Sequence, residues 1–305
     1  MSPTAQTLPL PPLPADLAFL DVVTEWDDSV SFQDWKPQML VPATFRPVTA
    51  PRTFVLANQK GGAAKTTSTV ELAAAWAAMG YRVLVIDSDP QRAALSAWLL
   101  PVYPEGLAAN DRRNLRHVFF GEATLAQAAY PTMFQRVYVV PSGTRLGLVE
   151  AERPVGAETC LRAQVEAVRD QFDLVLIDAG PTLGLLTIAA MVAADDVIIP
   201  TVPGGLDIKG VDDLHDTITL VRDRLNPKLD VRAVLLSSWE KTMLAREMGS
   251  AMAGRYPNAL VAPIRRSVRV GEAPNFGEPT RLYEPTANPV RDFDQAARLI
   301  LPRSA

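Results

Sequence analysis

Short runs of consecutive apolar, largely β-branched positions recur along the chain after residue 52, and helical stretches separate them. Residues 53–57, 82–86, 137–140, 173–177, 197–200 and 231–236 read as strands. Apolar side chains at helical spacing predict helices over 65–79, 158–170, 183–193 and 207–224, the first of them stopped by Gly80. A last helix is expected over 290–301, where Phe293, Ala297 and Ile300 fall on one face. The strands are apolar throughout rather than alternating, which predicts burial on both faces. The fold class is therefore α/β, a mainly parallel twisted sheet with helices on both faces. Such sheets receive ligands beyond the carboxyl ends of their strands. No internal repeat is present, and residues 52–305 read as one domain.

Residues 1–51 break this pattern. They hold nine of the 26 prolines, including Leu8-Pro9-Leu10-Pro11-Pro12-Leu13-Pro14. Proline at that density opposes both helix and sheet. Trp26, Phe32 and Trp35 are nonetheless large apolar groups that a solvated tail does not favour. The segment 1–51 is thus a Pro-rich acidic arm, either strapped onto its own body or docking a partner or second subunit.

Charge sharpens the division. The formal net charge is −4, and residues 1–50 carry six acids against Lys36 and Arg46, which accounts for all of it. Residues 231–281 hold eight basic side chains against Glu240, Glu247, Glu272 and Glu278, a local +4. The single cysteine, Cys160, excludes an internal disulfide framework and any cysteine-only metal or iron–sulfur site within one chain. Two histidines, His117 and His215, leave little for a zinc centre. No basic-then-apolar leader opens the chain. The longest apolar stretch, 185–194, is far short of the ~20 residues a bilayer-spanning helix needs. A cytoplasmic protein without a membrane partner is the expectation.

The strongest chemical signal is Asn58-Gln59-Lys60-Gly61-Gly62-Ala63-Ala64-Lys65-Thr66-Thr67. It follows a strand and opens a helix, as a phosphate-cradling loop must. Glycines let backbone N–H groups turn onto phosphates, and the helix end adds positive potential. Lys65 is placed to neutralise the β- and γ-phosphates, and the Thr66 hydroxyl to bind Mg²⁺. Two more strands end in carboxylates: Ile86-Asp87-Ser88-Asp89-Pro90-Gln91 and Leu176-Ile177-Asp178. One strand-end aspartate could simply cap a helix. Three beside a phosphate loop point to a metal–nucleotide site, in which Asp178 can hold the Mg²⁺ water shell.

The Lys60-Gly-Gly-x-x-Lys-Thr-Thr loop resembles that of the ParA/MinD family of deviant Walker ATPases, members of the P-loop NTPase fold. Ile86-Asp-Ser-Asp-Pro-Gln, Ile198-Ile199-Pro200-Thr201 and the 264–277 stretch ending Glu272-Ala273-Pro274-x-x-x-Gly277 are similar to later family motifs. The last points to the ParA (Soj-like) branch, and the likeness spans about 52–300. The resemblance implies two subunits sandwiching two ATP molecules, with Lys60 reaching the partner's phosphates. It further implies that Asp89 positions the attacking water and that Asp87 and Asp178 support Mg²⁺. It also implies non-specific DNA binding switched by ATP, hydrolysis stimulated by a ParB-like partner, and association with the nucleoid. Lys241, Arg265, Arg266 and Arg269 are the candidate DNA contacts; a solvated charged face is the alternative. Ala64 stands where the family has glycine, Asp178-Ala179-Gly180-Pro181 replaces Cys-Pro-Pro, and Arg265 replaces a proline. Two other functions compete: a nucleotide-bound scaffold that barely hydrolyses, motivated by Ala64, and an ATP-dependent ligase or amidase on the same fold.

Overall fold

Eight strands form one sheet in the computed structural model, which describes residues 39, 41, 45, 48–91, 94–143, 145–203 and 208–301. They are β1 (Arg52–Leu56), β2 (Val83–Ser88), β3 (Tyr130–Pro131), β4 (Val137–Val140), β5 (Leu174–Ala179), β6 (Asp196–Thr201), β7 (Asp230–Trp239) and β8 (Leu260–Arg265). The order across the sheet is β3-β4-β2-β5-β1-β6-β7-β8. Every pairing is parallel except β3 with β4. All six expected strands are present; 137–140 is matched at both ends, and the ends of the other five are displaced by one to three residues.

Two strands escaped the apolar pattern. β3 is only two residues long. β8 carries Pro263, which lacks an N–H for the ladder, and an edge strand tolerates that loss because one side is unpaired. Parallel strands leave no solvated face, so each side of the sheet is covered. On one face Leu161, Val165, Leu186, Leu214, Ile218 and Met248 pack down from the intervening helices. On the other lie the helices Lys65–Ala78 and Asn288–Ile300, with Phe293, Ala297 and Ile300 buried as their spacing predicts. Trp76 is fully buried there, stacks on Phe54 at 5.3 Å, and donates its indole N–H to the Ala297 carbonyl at 3.1 Å.

Part of the proline-rich arm joins that second face. Met39, Phe45 and Val48 are buried in it, and the Val48 N–H donates to the Ile300 carbonyl. Trp26, Phe32 and Trp35 lie outside the described residues.

β5 lies between β2 and β1, with Asp87 directly opposite Asp178 in the β2–β5 register and Leu56 opposite Asp178 in the β1–β5 register. Three segments far apart in sequence therefore deliver their carboxyl ends to one place.

Candidate functional site

The loop after β1 is pinned at its start. Asn58 donates its side-chain N–H to the Pro200 carbonyl at 2.7 Å and accepts the Lys60 N–H at 3.0 Å. The chain then turns through Gly62 (φ +75°) and Ala64 (φ +64°) into the Lys65–Ala78 helix. No side chain caps that helix, and its first turn carries no acid. Its leading N–H groups therefore keep their demand for an acceptor, which phosphate oxygens satisfy. At Gly61 and Gly62 no atom lies within 4 Å of where a Cβ would stand, so a ligand can approach the backbone. Ala63 is buried, Thr67 half-buried, and Lys60 exposed at the outer edge of the loop.

Lys65 is buried, with its ammonium 3.3 Å from the Lys60 carbonyl. Burial lowers its pKa, partly opposed by the charges of Asp178 and Asp89. An incoming polyanion restores what desolvation removes. Thr66 donates its hydroxyl to one Asp178 oxygen at 2.7 Å. The other oxygen, Oδ1, is buried and takes no hydrogen bond. Asp87 accepts from the Ser96 backbone N–H at 2.9 Å, from the Ser96 hydroxyl, and from the Asp89 N–H at 3.2 Å. Asp89 is half-buried and accepts the Gln91 N–H at 2.8 Å.

Burial pushes the Asp178 carboxyl up to about 8 and that of Asp87 up to about 6, each reinforced by neighbouring carboxylates. Two desolvated acids side by side, one with an orphaned oxygen, are a donor set that a hard divalent cation fits. Mg²⁺ typically binds through one or two carboxylates together with substrate phosphates.

These shifts set a pH dependence. Both carboxyls hold protons more tightly in the folded chain than in the unfolded one, so their protonation favours folding at low pH. That contribution is lost as pH rises through about 6 for Asp87 and about 8 for Asp178. Thermal melts of the ligand-free protein between about pH 5 and about pH 9 should fall on this account. Asp178→Asn, neutral throughout, should flatten the decline at its alkaline end; an identical slope in the variant contradicts the assignment.

Ala64 is the loop's irregularity. A non-glycine residue in left-handed backbone is strained by about 1–2 kcal/mol. The left-handed turn is part of the folded loop, so its strain is a cost to folding. Ala64→Gly should raise stability by about 1 kcal/mol or less, since glycine also gains entropy in the unfolded chain. Nucleotide affinity should change by less than about tenfold. A large affinity gain in calorimetry would show instead that the methyl group obstructs phosphate.

The basic candidates divide. Arg265 forks onto the buried Asp292 at 2.6–3.1 Å and also donates its backbone N–H to the same carboxylate. Expected as a DNA contact, it is half-buried in an ion pair that joins β8 to the last helix. Arg266, Arg269 and Lys241 are exposed. The Arg266 N–H bonds the Trp239 carbonyl, gathering Glu240, Lys241 and Arg266 at the ends of β7 and β8. Arg266 lies 3.3 Å from Glu240, and Arg269 lies 2.8 Å from Glu272.

Sequence reasoning passed over Ser96, which holds Asp87 through two donors. Its signal is a polar residue flanked by buried Leu95, Trp98 and Leu99 just after the Asp89 loop.

This geometry defines a P-loop ATPase. An AAA domain family model matches residues 51–231. The chain is 35% identical over 259 residues to the chromosome partitioning protein ParA of Caulobacter vibrioides, covering 83% of this chain and 94% of that one. It is 34% identical over 255 residues to the chromosome-partitioning ATPase Soj of Thermus thermophilus, covering 83% and 96%. Among solved structures, cobyrinic acid a,c-diamide synthase of Mycobacterium smegmatis, with a bound ATP analogue and magnesium, superposes with a TM-score of 0.67. That match has 28% identity and covers 82% of this chain and 93% of that one. The chain belongs to the ParA/Soj family of P-loop ATPases, within the wider ParA/MinD type. Its activity is ATP hydrolysis.

Proposed function

We propose that this ATPase partitions DNA or positions another cargo by cycling between a Mg²⁺–ATP-bound dimer that holds DNA without sequence preference and a nucleotide-released form that lets go. The carrying observation is the uncapped, open phosphate loop beside the paired carboxylates Asp87 and Asp178. The backbone of 61–64, Lys65 and Thr67 would hold the phosphates, while Thr66, Asp178 and Asp87 would hold Mg²⁺. The cation supplies charge neutralisation at the β- and γ-oxygens. Asp89, half-buried two residues beyond Asp87, would orient the attacking water. Exposed Lys60 has a flexible stem suited to carry its charge across to a second copy's phosphates.

Arg266, Arg269 and Lys241 form the basic edge proposed to touch DNA phosphates, and a ParB-like protein is the proposed stimulator of hydrolysis. Doubling that edge in a dimer raises the affinity of a weak patch. Association with the nucleoid follows from DNA binding. Among the described residues no helix is long and apolar enough to cross a membrane.

Fluorescence anisotropy on a random-sequence duplex, with Mg²⁺ and either ATP or ADP, tests the reading. ATP alone should tighten binding. Arg266→Ala should weaken it for every sequence and lower the log–log salt slope by about 1. Equal affinity with ATP and ADP would overturn the proposal, and an unchanged slope would remove Arg266 from the DNA face.

The amidating-ligase reading takes support from the likeness to cobyrinic acid a,c-diamide synthase. The exposed arginine edge speaks for partition instead. Phosphate release stimulated by DNA, and not by a carboxylic acid with an amide donor, separates the two.

A further inference from the structure

The segment bearing Arg269 has little hold of its own on the body. The helix Val268–Glu272 buries no residue, and the turn that follows, Ala273–Phe276, buries only Ala273. What fixes it is the next stretch, 277–280, which is gripped from two sides. Trp98 donates its indole N–H to the Glu278 carbonyl at 2.7 Å. Thr280 donates both its backbone N–H, at 2.7 Å, and its hydroxyl, at 2.6 Å, to one oxygen of Glu71.

Both grips belong to elements of the nucleotide site. Glu71 is buried in the helix that begins at Lys65, less than two turns from the phosphate loop. Trp98 sits in the short helix Ala94–Leu99, two residues beyond Ser96, whose two donors hold Asp87. The contact is tight: a Cβ on Gly277, itself at φ +68°, would stand 3.1 Å from Leu100 Cδ1 and 3.7 Å from the Trp98 carbonyl. Leu100, leaving the same helix, is held at φ +40°. The far end is tied back as well. Tyr283 donates to Glu272 at 3.1 Å and stacks on Phe276 at 4.8 Å.

We propose that Trp98 and Glu71 are positioning residues that make the placement of the Arg269 segment depend on the nucleotide site, with 277–280 as the relay. This rests on the reading under Proposed function. Asp87 is the origin of the coupling. Both Ser96 donors fall on one Asp87 oxygen, and a ligand that recruits that oxygen displaces them and so shifts the Ala94–Leu99 helix. That helix carries the Trp98 donor, and the donor carries the turn. Glu71 provides the stationary reference, because its own helix is packed into the core along most of its length.

Coupling of this kind is reciprocal: whatever factor the nucleotide adds to DNA affinity, DNA must add to nucleotide affinity. The test measures both. A non-hydrolysable ATP analogue with Mg²⁺ and a random-sequence duplex are titrated in each order on the full chain, for wild type, Trp98→Phe and Thr280→Val. Trp98→Phe keeps an aromatic ring and removes the N–H; Thr280→Val keeps the shape and removes one of two donors. In both variants the coupling factor should fall at least fivefold in both directions, while analogue affinity without DNA stays within twofold of wild type. A wild-type factor retained by both variants overturns the relay and leaves the partition reading standing. A variant that also loses analogue affinity overturns it too, since these bonds would then be supporting the site itself. A wild-type factor of one sinks the partition reading first, and the relay with it.

Discussion

Lys65→Ala should abolish ATP turnover and weaken nucleotide binding by about 10²–10³-fold, the scale on which loss of one preorganised charge-stabilising group acts. The side chain is buried beside Asp178 and Asp89, which favour its ammonium, while desolvation opposes it. Its nearest acceptor is a backbone carbonyl at 3.3 Å, a modest partner for a buried charge. A triphosphate would supply the stronger one. Removing the ammonium also takes from Asp178 the cation that lowers its carboxyl pKa. The variant should fold, and its Asp178 carboxyl should hold its proton to higher pH. Calorimetry with Mg²⁺–ATP reads the first expectation; binding within threefold of wild type would contradict the assignment of Lys65 to phosphate.

Asp89→Ala should separate binding from chemistry. Its carboxylate has one oxygen engaged by the Gln91 N–H, is half-buried, and lies close enough to Lys65 and Asp178 for its charge to act on both. A group that orients or deprotonates the attacking water contributes typically about 10²–10⁴-fold. Turnover should fall by that factor while Mg²⁺–ATP affinity remains near wild type, because no phosphate contact is lost. The variant is then held in its ATP-bound form. A proportional loss of affinity would mean that Asp89 belongs to the cation's donor set.

Much of this was readable from the chain because the strands are continuous apolar runs and the phosphate loop is a local motif. The loop's residues are adjacent in sequence, and local geometry suffices to aim them. What local pattern cannot supply is register across the sheet. Asp87 and Asp178 are separated by 91 positions, and only the insertion of β5 between β2 and β1 sets them side by side. Ser96 was hidden for the same reason, since its partner is fixed by how a short helix folds back on β2. Arg265 was misleading because a run of basic residues looks solvated, whereas its partner Asp292 arrives from a helix 27 positions away. β8 was obscured by Pro263, whose presence is tolerable only at an edge. Ala64 shows the reverse case. Its departure from glycine was visible at once, but only the backbone angle reveals that the methyl sits in strained, left-handed backbone.

In the proposed cycle, a triphosphate gripped at this loop joins two copies of the chain. Light scattering of purified Asp89→Ala at fixed concentration, with Mg²⁺ and ATP, with Mg²⁺ and ADP, and with neither, reads that assembly. Twice the monomer mass is expected with ATP alone, and Lys60→Ala should return that species to monomer. The same mass under all three conditions, in a protein shown by calorimetry to bind ATP, would contradict it.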